Sequence, residues 1–97
     1  MILIMKYKVI FSHELIKNLL KLQSHIRKKL AFWAEQIQLK GMSAVRKVPG
    51  YHDEPLKGKR KGQRSVRLSK GYRAIYREEQ NKNLILIKIL EVSNHEY

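Results

Sequence analysis

Three residues in this chain have the types that cutting an RNA strand requires. Attack of a ribose 2′-OH on its own phosphodiester needs a base for that hydroxyl and an acid for the departing 5′-oxygen. It also needs cations to hold the charge that grows on phosphorus. Histidine, with an ordinary pKa of about 6.5, suits either proton transfer. Glutamate can serve as the base, and a guanidinium grips phosphate through paired N–H groups. Glu54, Arg73 and His95 are the candidates, with Tyr97 or Tyr51 able to stack on an exposed base. Each has a plainer alternative. A histidine near the C-terminus can be an ordinary surface residue, and Glu54, beside Asp53, can be an ion-pair partner. Arg73 is harder to dismiss, because an arginine between hydrophobic neighbours on an inner strand must find an anion or open water.

These candidates surround a strongly basic stretch. Residues 55–77 hold nine Lys or Arg and no Asp or Glu. Within it, Gly58 and Gly62 bracket Lys59, Arg60 and Lys61, which reads as a loop or a phosphate-contacting lead-in. Residues 64–69 then alternate, with Val66 and Leu68 on one face and Ser65, Arg67 and Ser69 on the other. Lys70-Gly71 supplies a hairpin turn. The return strand places Ala74 and Tyr76 on one face, and Arg73, Ile75 and Arg77 on the other. Lys57, Lys59, Arg60, Lys61, Arg64, Arg67 and Arg77 are therefore the candidate RNA-binding residues.

The remaining elements must present that hairpin. Residues 2–11 read as a first strand with Tyr7, Val9 and Phe11 on one side. Ser12 can cap a helix over about 13–22, and Ser24 a second helix with Ile26, Leu30, Trp33 and Ile37 as one apolar stripe ending at Gly41. Phe32 and Leu39 lie off that stripe, as a wider core contact or a docking strip for a partner. Residues 42–62 show no clear period, residues 78–83 read as a polar turn, and residues 83–92 as a last strand with Ile85, Ile87 and Ile89 on one side. Lys88 falls on the other side, with Leu84, Leu86 and Leu90. The expected fold is α+β in the order β-α-α-β-β-β. A helical hairpin packs on one face of a small, mostly antiparallel sheet. Parity leaves Arg67, Arg73, Arg77 and Lys88 on the uncovered face.

Composition bounds the rest. The 97 residues suit one domain, 1–97, with 43% hydrophobic residues for a thin core. A net charge of +13 is self-repulsive and points to a polyanionic or acidic partner, nucleic acid first. The absence of cysteine excludes disulfides, thiolate chemistry and a cysteine zinc site. The four histidines lack metal-site spacing, so no metal or cofactor is expected. The apolar start is too short for a signal peptide or a membrane span. The expectation is a cytoplasmic protein with no membrane partner.

Glu54-Pro-Leu-Lys57, Gly62, Ser65-Val66-Arg67-Leu68, Tyr72-Arg73-Ala-Ile75-Tyr76 and the terminal His95-Glu-Tyr97 together resemble the RelE/ParE superfamily of bacterial toxins. The likeness is closest to YoeB- and HigB-like mRNA interferases. It implies a ribosome-dependent endoribonuclease that acts on mRNA and contacts ribosomal RNA, restrained by a cognate antitoxin protein. It also implies roles: Glu54 as base, Arg73 as phosphate stabiliser, His95 as general acid, Tyr97 as a shaping aromatic and Lys57 as a phosphate contact. YoeB-like chains carry an aromatic pair where this one has Gln63-Arg64. Two other readings share parts of the pattern. One is a ParE-like toxin that inhibits DNA gyrase without a nuclease centre; the other is a plain RNA-binding module.

Overall fold

The structure is a computed structural model and describes residues 6–94. Among the described residues, five strands form one sheet in the order β1-β5-β4-β3-β2: β1 Lys6–Phe11, β2 Glu54–Pro55, β3 Gln63–Ser69, β4 Tyr72–Asn81 and β5 Leu84–Asn94. Only β1 runs parallel to its neighbour β5; the other pairs are antiparallel. Three helices, α1 His13–Leu19, α2 Ser24–Lys40 and α3 Met42–Arg46, intervene between β1 and β2.

One hydrophobic core explains the arrangement. Ile26, Leu30, Trp33 and Ile37 of α2 are buried against Val66, Leu68, Ala74, Tyr76, Ile87 and Ile89 of the sheet, with Leu15 of α1. Tyr7, Val9 and Phe11 pair with Ile85, Ile87 and Ile89 and pack on the same cluster. Trp33 and Tyr76 meet at its centre, their ring centroids 5.2 Å apart and their planes inclined at 57°. Phe32 and Leu39 stay exposed, at 55% and 71%, so the side of α2 away from the stripe is not core.

The helix ends follow their local chemistry. The Leu15 N–H donates to Ser12 Oγ at 3.1 Å, capping α1 as its sequence suggests. Ser24 does not cap α2 but is its first residue; Gln23 occupies the cap without a side-chain hydrogen bond. Gly41 ends α2 at φ 86°, and a Cβ there would come within 3.2 Å of the Tyr7 ring. The chain then re-enters a helix at once. Residues 42–46 carry too few turns to show a period, but they bury Met42 and Val45.

The sheet is larger than the four strands expected. Glu54 and Pro55 form a fifth, pairing with Ser65 and Arg64. Residues 78–81 extend β4 by pairing with residues 84–87 of β5, so the turn shrinks to Lys82-Asn83, with Lys82 at φ 56°. The β3–β4 turn is Lys70-Gly71 as expected, Gly71 taking φ 89°. A bulge at Leu90 breaks the period of β5: Ile75 pairs with Glu91, but the next residue, Tyr76, pairs with Ile89. Beyond the bulge Val92 turns to the core, and Glu91 to the uncovered face.

Candidate functional site

Register places the basic side chains as alternation requires. Arg67 pairs with Arg73, and Arg77 with Lys88, on the face the helices do not cover. Arg73 is the best-anchored of them. Its Nε–H donates to Ser65 Oγ, and its Nη2 donates to the His52 carbonyl at 3.2 Å and to Glu54 Oε1 at 3.3 Å. Ser65 is buried on β3, diagonally across from Arg73. The three bonds fix one edge of the guanidinium, and Nη1 has no partner among the described residues. An arginine held by three acceptors still has the two Nη1 N–H groups to offer to an anion.

The other cations on this face are less concentrated. Arg60, from a 3₁₀ turn at Gly58–Arg60, bonds Gln63 Oε1 at 3.0 Å and reaches Glu91 Oε2 on β5 at 2.6 Å. Glu79 takes Lys88 at 2.8 Å and Arg77 at 3.0 Å. The Lys88 hydrogen bond, followed by the charges of Lys88 and Arg77, holds the Glu79 carboxyl below its ordinary value. Lys57, Lys59, Lys61 and Arg67 have no ion pair among the described residues. Arg67 also borders a groove of about 600 Å³ between α2, α3 and β3, with Phe32, Tyr51, Lys29 and Lys40 along it. Burial pushes the Tyr51 phenol up.

Arg64 lies elsewhere. It pairs with Tyr76, on the helix side of the sheet, and its Nε–H donates to Asp53 Oδ1 at 2.6 Å. The Asp53 carboxylate, whose side chain is 1% exposed, also accepts the Tyr76 hydroxyl, and Arg46 Nε lies 3.9 Å away. Burial pulls the Arg64 guanidinium down, but the hydrogen bond and charge of Asp53 outweigh it, and the net shift is upward. Burial also pushes the Tyr76 phenol up, the Asp53 bond and charge adding to the effect and Arg46 opposing it. The structure thus brings Glu54 and Arg73 together and directs Arg64 into a separate buried network. His95 and Tyr97 lie outside the described residues.

Sequence reasoning does not single out Ser65, the His52 carbonyl or Asp53 as parts of the site. Ser65 carries a signal, since alternation puts it on the same face as Arg67. Among the described residues no group of three or more His, Asp or Glu could hold a metal ion, and no helix is long and apolar enough to cross a membrane.

No family model and no curated protein sequence matches the chain. Solved structures do. A YoeB/ParE toxin from Agrobacterium tumefaciens superposes with a TM-score of 0.67 at 16% identity, over 92% of this chain and 99% of that one. The E. coli DinJ–YafQ toxin–antitoxin complex gives 0.66 at 18% identity, covering 94% of each chain. The Staphylococcus aureus YoeB–YefM complex gives 0.63 at 22% identity, over 94% and 99%. At such identities the likeness is one of backbone alone: this chain shares its fold with these toxin structures.

Proposed function

We propose that this chain is the toxin of a type II toxin–antitoxin pair and cuts mRNA on the ribosome. The observation that carries the reading is Arg73, anchored on the uncovered face with no partner for Nη1 among the described residues and Glu54 Oε1 3.3 Å from Nη2. In this scheme Glu54 takes the proton of the 2′-OH as that oxygen attacks phosphorus. Arg73 Nη1 receives the non-bridging oxygens as they gain charge, and the 5′-oxygen leaves with a proton from His95. The products are a 2′,3′-cyclic phosphate end and a free 5′-OH. Tyr97 shapes the site, and Lys57, Lys59, Arg60, Lys61, Arg67 and Arg77 hold flanking phosphates.

The fold supports the same reading, since the YafQ and YoeB structures it resembles are toxins solved with the antitoxins DinJ and YefM. An antitoxin for this chain would carry carboxylates toward Lys29, Lys40 and Arg67, and apolar side chains toward exposed Phe32.

Primer extension on an mRNA in a purified translation system tests the activity. Discrete breaks in the decoding site are expected with the wild-type chain. Arg73→Ala is expected to lower the rate by about 10²–10³, the usual cost of losing one donor to a developing oxyanion. Intact mRNA with gyrase-dependent DNA damage would replace this reading with the gyrase one.

A further inference from the structure

The segment His52–Glu54 touches both faces of the sheet, and its middle residue has no part in the scheme above. His52 sits in the left-handed region at φ 43° and ψ 49°, uncommon for a residue with a side chain. On the uncovered face the His52 carbonyl and the Glu54 carboxylate hold Arg73 Nη2. Between them Asp53 turns to the opposite face and is buried, where the Tyr76 hydroxyl and Arg64 Nε–H both donate to it.

A buried carboxylate of this kind is poor at stabilising a fold, since an apolar side chain of similar size often does as well. It is good at fixing one geometry. Tyr76 is itself fixed, fully buried against Trp33 at the centre of the core. Its phenol is protonated at neutral pH and so able to donate, and the upward shift of its pKa moves ionisation still further from that range. A continuous line of contacts therefore runs from the core to the site: Trp33 to Tyr76, Tyr76 to Asp53, and along the backbone to the two acceptors of Arg73.

We propose that Asp53, seated by the Tyr76 hydroxyl, is a positioning residue that sets the orientation of Arg73 and Glu54 toward phosphate. Asp53 does not touch the RNA. It holds the short peptide on which Glu54 and the His52 carbonyl are mounted, and Arg64 completes its seat. The catalytic consequence rests on the RNase reading; the geometric one does not.

Tyr76→Phe is the informative variant, because it keeps the ring against Trp33 and removes only the O–H. Two readouts are needed. The first is single-turnover cleavage of ribosome-bound mRNA, separating kcat from KM. The second is the ¹⁵N-resolved Nε–H signal of Arg73, assigned by its loss in Arg73→Lys. The expected result is an unchanged circular dichroism spectrum, a KM within about twofold and a kcat lower by about 10- to 100-fold, in line with the cost of small misplacements. The Arg73 signal is expected to shift or broaden. Asp53→Asn should move the same signal in a folded protein.

An unmoved Arg73 signal in folded Tyr76→Phe overturns the proposal, whatever the cleavage rate. A moved signal with wild-type kcat overturns it too, since the orientation would then not matter to the reaction. If the wild-type chain cuts nothing, the RNase reading fails by itself. The Arg73 signal then decides alone whether Asp53 positions that side chain.

Discussion

At the scale of single residues, Asp53 accepts from both the Arg64 Nε–H and the Tyr76 hydroxyl on the helix side of the sheet, opposite the face that carries Arg73. Alternation places Arg67, Arg73 and Arg77 on the uncovered face, and the register agrees. The same parity sets Arg64 beside Val66 and Leu68, on the core side, where its charge demands a buried acid. That acid, Asp53, is eleven residues from Arg64, and the phenol that shares it is 23 residues from Asp53. No local pattern reports such a meeting. The Tyr76 hydroxyl has a consequence for stability. Its pKa is raised in the folded chain, so the folded state binds this proton more tightly than the unfolded state. The contribution is fully present below the unfolded value of about 10, and is lost as the pH climbs above it toward the folded value. Thermal unfolding followed between pH 8 and 11.5 is expected to show a steeper alkaline decline for the wild-type chain than for Tyr76→Phe.

At the scale of elements, legibility follows length. The stripe Ile26, Leu30, Trp33 and Ile37 spans three turns of α2, and all four residues are buried. α3 has five residues and β2 has two, too few for either period to appear. Their places come from what they touch: Met42 and Val45 enter the core, and Glu54 pairs with Ser65. Residues 78–81 look like a turn because Glu78, Glu79, Gln80 and Asn81 are polar. They are strand because β5 offers four partners in register and Glu79 draws two cations to itself. The two neighbours Phe32 and Trp33 give a sharp contrast. Trp33→Ala is expected to cost about 3–5 kcal/mol by leaving a cavity. Phe32→Asp, at a position 55% exposed, is expected to stay within about 0.5 kcal/mol of wild type. Urea titration of both variants checks the pair.

For the whole molecule, charge dominates. The +13 balance is spread unevenly. Glu54, Glu79 and Glu91 each hold a cation on the uncovered face, whereas Lys57, Lys59 and Lys61 have no ion pair among the described residues. On the proposed reading, binding to ribosomes or RNA is therefore expected to weaken steeply with salt, through release of counterions. Lys59→Glu with Lys61→Glu should flatten the plot of log affinity against log salt by about one unit for each phosphate no longer neutralised. The position of the cut should not move. An unchanged slope would mean that the loop carries its charge in solvent only.

The order of the strands has a further consequence, in time rather than in space. β1 is made before the other elements, yet its partner in the sheet is β5, made after all of them. Until β5 has left the ribosome, Tyr7, Val9 and Phe11 have no strand beside them, and β4 lacks the neighbour with which it shares ten pairings. The helices can form early from local contacts; the sheet has to wait for the longest loop closure in the chain. A growing chain would therefore carry Glu54, Ser65 and Arg73 for some time without the geometry that joins them; on the proposed reading, the ribosome making it would be spared cleavage of its mRNA. A chain stopped before Leu84 is expected to be unfolded by circular dichroism and harmless on expression, although Glu54, Ser65 and Arg73 are all present.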